Sequence, residues 1–229
     1  MKKTITLLLV LALALSLCAC GSKNVSGTVT PAEPAAEPET SVEEAPAEPE
    51  AELELGTVSG TRYENAYFGI GCEMDDSWVF ADQEELAGMI GLTADAIGGD
   101  VGESMRSADM FYDLFAQSES EMASVNIVVQ NIGVAAGLMT EDQMVSAALP
   151  TLAEQLEPAG FSDIQVEEIT ADFMGGEHHA IHLSAMYQGV QLYERQFYLN
   201  RGRYVSTVTI TTYHDDRTED CAALFFAVG

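Results

Sequence analysis

The sequence predicts an α+β fold, an antiparallel sheet with helices packed on it, preceded by a signal peptide and a disordered acidic linker. Three observations support this class. Long segments of the C-terminal half alternate polar and apolar residues, which is the spacing of strands. Short glycine-containing turns separate three of these segments, as in an antiparallel meander. Two capping-box patterns, Asp82-x-x-Glu85 and Thr140-x-x-Gln143, open helices between the strands.

Residues 1–19 are predicted to be a lipoprotein signal peptide. Lys2 and Lys3 give a positive start, and the apolar run from Leu7 to Leu17 is too short to cross a bilayer. The sequence Leu-Cys-Ala-Cys ending at Cys20 has the pattern of a lipobox, with small residues before the cysteine that accepts the lipid. We therefore expect cleavage before Cys20 and anchoring by acyl chains on its thiol. The alternative is an ordinary secretory signal with a chance cysteine.

Residues 20–57 are predicted to be the lipidated cysteine and a disordered linker rich in proline, glutamate and alanine. Ala-Glu-Pro occurs three times in this segment, which has no aromatic residue. Its glutamates repel one another and its apolar surface is small, so nothing offsets the entropy lost on ordering. We expect a spacer that holds the domain away from the envelope, or else a passive tether.

The domain is predicted to span residues 58–229. In its first half we expect a hairpin or bent strand over 63–68 and 69–74, then a helix that begins at Asp82 and runs toward Leu92. The glycine-rich segment 94–106 has no clear period, so its structure stays open. Two strands are predicted over 109–116 and 124–132, around a polar turn.

The second half is predicted to begin with a helix from Thr140 to a stop at Gly160, which Pro150 should kink or split. A strand over 164–169 should follow. The meander is expected over 178–187, 191–200 and 203–213, with turns at Gly175-Gly176, Gln188-Gly189 and Arg201-Gly202. Asp216-x-x-Glu219 should cap a closing helix that continues through Phe226.

Three short motifs indicate a family resemblance. They are the opening Tyr63-x-Asn65-x-x-x-Gly69-Ile70, the Trp78 after a short strand and the closing Phe225-Phe226. Together with the mid-chain helix and the meander, they give an order of elements that resembles the PsbP-like fold, named for an extrinsic subunit of photosystem II. The resemblance implies a sandwich-shaped domain that docks to partners. It carries over no catalytic residues, and fold alone does not define function.

Three of the four histidines lie between Glu177 and His182. On a helix His178 and His182 would share a face, but the strand pattern places them about 13 Å apart. A metal would therefore need ligands from a neighbouring strand. One interpretation is a metal site, and the other is a set of polar positions on a partly exposed strand.

Cys72 and Cys221 are the two cysteines of the predicted domain, and both occupy apolar positions. A disulfide between them suits the oxidising envelope, whereas two free thiols suit a packed core, so both alternatives stay open. The acidic pairs at 75–76, 167–168 and 215–216 are candidate calcium ligands, although none has EF-hand spacing.

The net charge restricts the class of partner. The chain has 37 acidic and 9 basic residues, which gives a formal charge of −28. Such a chain repels nucleic acid and anionic head groups, so we expect membrane contact only through the lipid anchor. The sequence has no hydrolase or nucleotide-binding motif. We therefore predict a non-enzymatic, surface-tethered binding module without a cofactor, for an unidentified protein or small molecule. The alternative is an envelope metal-dependent hydrolase that uses His178 and His182.

Overall fold

The computed structural model describes residues 53–97, 103 and 108–229. These residues form two antiparallel sheets and a small number of helices, so the predicted α+β class is confirmed. The predicted signal peptide, Cys20 and nearly all of the linker lie outside the described residues, as does most of the glycine-rich segment 94–106.

The smaller sheet contains the predicted first hairpin. Its four strands are β1 (Thr57–Ser59), β2 (Arg62–Asn65), β3 (Ile70–Glu73) and β11 (Phe225–Ala227), in the order β1-β2-β3-β11. Strands β2 and β3 are antiparallel, with Tyr63 opposite Cys72. Gly69 closes the turn between them with a φ of 69°, a left-handed conformation that glycine adopts without strain.

The larger sheet contains the predicted meander. Its strands are β4 (Val79–Phe80), β5 (Met110–Ser118), β6 (Ala123–Asn131), β7 (Phe161–Phe173), β8 (Gly176–Tyr187), β9 (Val190–Arg201) and β10 (Tyr204–Tyr213). Their order is β4-β5-β6-β10-β9-β8-β7. The meander of β8, β9 and β10 is confirmed by continuous antiparallel registers.

Two of the predicted turns shift by one residue. The turn before β8 is centred on Met174 and Gly175, whose φ angles are 52° and 81°, instead of Gly175 and Gly176. Positive φ at both central residues is the requirement of the tight hairpin turn whose twist matches the strands. The turn before β10 likewise uses 202–203 instead of 201–202.

The described residues include the α-helices α1 (Gln83–Ile97), α2 (Glu141–Leu156) and α3 (Thr218–Ala222), and two 3-10 helices over Gly133–Leu138 and Glu157–Ala159. Both predicted capping boxes are present. The Asp82 carboxylate accepts from the Glu85 N–H at 2.9 Å and the Glu85 carboxylate accepts from the Asp82 N–H at 2.9 Å. Helix α1 continues past its expected end near Leu92. Within the described part of the chain, no helix combines the length and apolar character that crossing a bilayer requires.

The expectation that Pro150 splits the second helix is wrong, because α2 is continuous through this residue. Proline removes one backbone hydrogen bond from a helix interior. Here, however, Val145 before it and Leu152 after it are both buried in one apolar cluster with strands of the larger sheet. Tertiary packing on both sides of the proline holds a single helix.

The predicted closing helix is wrong beyond its first turns. Helix α3 ends at Ala222, and the next residues form β11, in which Phe225 lies opposite Cys72 of β3. The expected cap is also wrong, because the N-cap residue is Arg217. Asp216 precedes it and accepts from the Thr218 N–H at 3.1 Å and from the Thr218 hydroxyl at 2.7 Å. Pairing with β3 satisfies the backbone of β11 and places Phe225 in the apolar cluster between the sheets. Strand β11 belongs to the smaller sheet, so the protein has two sheets where the sequence predicted one.

The molecule has three layers. One apolar cluster fills the space between the two sheets and includes Phe173 stacked on Phe197, with ring centroids 3.9 Å apart. Side chains alternate along a strand, so Tyr198 points to the opposite face, where α2 covers the larger sheet. Helix α1 packs on the same sheet through Met89 against Tyr112.

Asp113 of β5 connects the two sheets by buried hydrogen bonds. Its carboxylate accepts from the Tyr63 hydroxyl at 2.5 Å and from the Asn65 amide at 2.7 Å. The N–H of Gly56 donates to its other oxygen at 2.8 Å. The Tyr63 and Asn65 of the opening motif therefore act as structural anchors for the smaller sheet.

Candidate functional site

His178 and His182 lie on β8, but they contact different acids. His178 Nδ1 is 2.8 Å from Glu141 of α2. His182 lies between two carboxylates, with Nδ1 3.4 Å from Glu167 and Nε2 2.9 Å from Asp216. The two nitrogens of the His182 ring point in different directions, and each contacts a different carboxylate. Glu167 and Asp216 therefore cannot bind one metal ion together with the same nitrogen of His182. The structure does not bring His178 and His182 into one ligand set.

The histidine between them belongs to a different group. Nδ1 of His179 is 3.0 Å from Glu168 Oε1 of β7. Together with Asp142 of α2, these residues form a group whose ligand atoms all lie within 4.8 Å of one another. Among the residues that the structure describes, it is the one group of three His, Cys, Asp or Glu side chains that are close enough to hold a metal ion together. The group could not be predicted from the sequence, because Asp142 is far from Glu168 and His179 along the chain and is brought to them by the packing of α2.

Cys72 and Cys221 are both buried free thiols in the cluster between the sheets. Of the two alternatives drawn from the sequence, the structure therefore has free thiols and no disulfide between these residues. Burial raises the pKa of Cys72 to about 12 and that of Cys221 to about 11, so both are neutral at physiological pH. A neutral, buried thiol is a poor nucleophile.

A pocket of about 410 Å³ opens beside the end of β3 and helix α3. We call it the acidic pocket, because four carboxylates and one guanidinium line it. The lining residues are Glu73, Met74, Asp75, Trp78, Glu121, Arg217, Asp220, Cys221 and Leu224. They come from three separate stretches of the chain, which is why no sequence motif indicated the pocket. Of the lining residues, Asp75 was predicted from the sequence as a candidate calcium ligand. Trp78 was noted in the sequence only as part of the resemblance to the PsbP-like fold.

The charges of the acidic pocket are only partly compensated. Arg217 forms an ion pair with Glu121, and this hydrogen bond raises the pKa of Arg217. Glu73 forms an ion pair with Arg62, which lies outside the pocket, and Arg62 Nη1 is 3.0 Å from Glu73 Oε2. Asp220 is exposed and forms no hydrogen bond within the part of the chain that the structure describes. The pocket thus keeps a net negative charge.

Asp75 provides a second oxygen that can accept a donor in the acidic pocket. The Ser77 hydroxyl and N–H donate to its Oδ1 at 2.5 and 2.8 Å, and these bonds lower the pKa of Asp75. Oδ2 receives no bond from any described residue. Asp75 is therefore ionised at neutral pH and has one oxygen free for a ligand.

Trp78 forms the apolar side of the acidic pocket with Met74 and Leu224. It is the chain's one tryptophan, and it is 7% exposed because most of the indole belongs to the core. Aromatic rings attract cations through the negative face of their π system, and tryptophan does so most strongly. Carboxylates beside an indole suit an organic cation that has both a charged group and an apolar body.

A buried polar layer lies on the helix-covered face of the larger sheet. Glu194 is 3% exposed and accepts from the Thr211 hydroxyl at 3.2 Å, with a longer contact of 3.4 Å to the Gln196 amide. Burial raises the pKa of Glu194 to about 8. The side chain of Asn126 and the hydroxyl of Thr209 are also buried, and neither has a hydrogen-bond partner among the described residues. Glu194 is therefore mostly protonated at neutral pH.

No family model and no curated protein match this chain. Among solved structures, a crystal structure from Bacteroides thetaiotaomicron VPI-5482 is similar to it, with a TM-score of 0.40 and 8% sequence identity. The similarity covers 75% of this chain and 50% of that one, so the chain spans about half the length of its structural neighbour. A likeness this low carries no argument about fold or function.

Proposed function

We propose that this protein is a lipoprotein on the extracytoplasmic face of the cell membrane whose domain is a non-enzymatic binding module for a small organic cation. The lipobox at Cys20 and the acidic, proline-rich linker support the anchor and the spacer. The resemblance to the PsbP-like fold remains part of this proposal, because it implies a domain that binds partners. The acidic pocket is the observation that carries the binding function.

The ligand class follows from the charges and the shape of the acidic pocket. An ammonium group offers up to three donors, and Asp220 and the free oxygen of Asp75 are the acceptors that no described residue uses. An apolar body would contact Trp78 and Leu224. Carboxylates at the opening also raise the local concentration of cations, and the net charge of −28 acts in the same direction at long range.

The size of the expected affinity is modest. An exposed cation on an aromatic face gains about 0.5–1 kcal/mol. A charge-assisted hydrogen bond adds about 1.5–3 kcal/mol. Two such bonds and one aromatic contact sum to about 3.5–7 kcal/mol, and subtracting at least about 4 kcal/mol for the entropy of association leaves a dissociation constant in the millimolar range or weaker. Such an affinity suits a surface receptor for an abundant amine.

The fluorescence of Trp78 gives a direct test, because no other tryptophan contributes to the signal. The full chain, purified in detergent, is titrated with an alkylamine, a quaternary ammonium ion and a neutral amide of similar size. We expect saturable changes with the two cations and none with the amide. Binding should weaken at 0.5 M salt, because Coulomb attraction at a partly exposed site is screened.

Two variants of helix α3 separate a specific site from general charge attraction. Asp220→Asn removes a carboxylate of the acidic pocket, and Glu219→Gln removes an exposed neighbour that does not line it. Both change the net charge equally. We expect affinity to fall about tenfold in Asp220→Asn, the loss of one charge-assisted bond, and to stay unchanged in Glu219→Gln. Equal losses in both variants would contradict a defined site.

A further inference from the structure

We propose that His179, Glu168 and Asp142 form a binding site for a single zinc ion, which fastens helix α2 to the edge of the larger sheet. The site shares no residue with the acidic pocket, and it goes beyond the proposed capture of an organic cation. It also differs from the site predicted from the sequence, which used His178 and His182.

The geometry needs only a small adjustment to hold the ion. The three ligand atoms lie within 4.8 Å of one another, and His179 Nδ1 and Glu168 Oε1 are already 3.0 Å apart. In a tetrahedral zinc site with bonds of about 2.0–2.1 Å, ligand atoms are about 3.3–3.4 Å apart. Asp142 and Glu168 are exposed, so rotation of their side chains can close the difference.

The mixture of ligands selects the class of metal. One imidazole nitrogen and two carboxylate oxygens are ligands that zinc binds in proteins, with water in the fourth position. Calcium takes six to eight oxygen ligands, so a group with one nitrogen and two carboxylates suits it poorly. The partial positive charge at the start of α2 opposes a cation, but it is only about half a unit. Glu141 and Asp142 in the same turn outweigh it.

The position of the group gives the metal its structural effect. Asp142 is in the first turn of α2, Glu168 is on the edge strand β7, and His179 is on β8. An ion bound by all three connects a helix to two strands that are distant in sequence from it. Because the unfolded chain cannot hold these ligands together, zinc binding stabilises the folded state.

The test is a zinc titration of the full chain by isothermal titration calorimetry in detergent. We expect one zinc per chain, and a rise of several degrees in melting temperature when free zinc is a hundredfold above the dissociation constant. His179→Ala should weaken zinc binding at least tenfold and abolish that rise. His182→Ala is the matched control, since it removes a histidine of the same strand that also contacts two carboxylates. It should bind zinc like the unmodified chain.

Asp142→Asn provides a second variant in case His179→Ala does not fold, because Asp142 is an exposed helix residue. It should also weaken zinc binding about tenfold. Three results would overturn the proposal: no zinc binding at 1 mM, equal zinc affinity in the unmodified chain and in a folded variant of His179 or Asp142, or calcium binding as tight as zinc. The acidic pocket would be unaffected by any of them.

Discussion

Replacing the buried Glu194 by glutamine should make the folded state more stable at neutral and alkaline pH. The carboxyl group has a pKa of about 8 in the folded protein because burial disfavours its charged form, against 4.5 when it is free in water. Glutamine keeps the shape and stays neutral. It can also preserve the contacts of this site, since the Thr211 hydroxyl and the Gln196 amide can each turn to suit an amide.

The sign of the pH dependence follows from proton binding. Between the two pKa values the folded state holds a proton that the unfolded state has lost, so the free energy of unfolding falls as the pH rises. Each pH unit in this window costs about 1.4 kcal/mol. The loss from Glu194 is then about 3 kcal/mol at pH 7 and about 4 kcal/mol at pH 8, while at pH 5 it is below about 1 kcal/mol.

Urea unfolding of the full chain and of Glu194→Gln at pH 5 and pH 8 measures this difference. We expect the stability gain of the variant to grow by about 3 kcal/mol between the two pH values. Glu119→Gln, an exposed acid in the turn between β5 and β6, is the control and should show no such growth. The same gain at both pH values, or a loss at pH 8, would refute the idea that burial keeps Glu194 protonated.

Three further outcomes are expected from the same structure. Asp113→Ala should lower the free energy of unfolding by about 3 kcal/mol, because the buried hydroxyl of Tyr63 and the neighbouring donors lose their acceptor; a loss under about 1 kcal/mol in urea unfolding would speak against this. Cys72 and Cys221 should react with a thiol reagent at pH 8 only after unfolding, since both thiols are buried and neutral; rapid labelling of the folded chain would disagree. Cys20→Ser should move the protein from the membrane fraction to the soluble fraction, and unchanged membrane partition would refute the lipid anchor.

The strands and helices that depend on local signals could be predicted from the sequence. The capping boxes at Asp82 and Thr140 are satisfied within four residues of chain, so the local sequence contains all their partners. The three strands of the meander were also found, because each pairs with its sequence neighbour through a tight turn. Two turns were misplaced by one residue. The turn before β8 has a positive φ at Met174, which is not a glycine, and the turn before β10 begins at Gly202 and not at Arg201.

Elements that depend on distant partners could not be predicted in this way. The segment around Phe225 has a pattern compatible with a helix, and only the open edge of β3 makes it a strand. Pro150 is a helix breaker by local rules, but burial of apolar residues on both sides of it keeps α2 in one piece. In both cases long-range burial and hydrogen bonding outweigh local preference.

The sequence by itself determined the α+β class, the meander of β8, β9 and β10 and the strongly acidic charge, and it predicts a lipid anchor at Cys20. Only the tertiary structure decided which charged side chains meet. It placed His179, and not His178 or His182, in a group with two carboxylates whose ligand atoms all lie within 4.8 Å of one another, and it gathered the acidic pocket around Trp78 from separate segments. The physical reason is that caps and turns are satisfied by residues a few positions away, whereas sites arise where packing brings distant segments within a few ångströms.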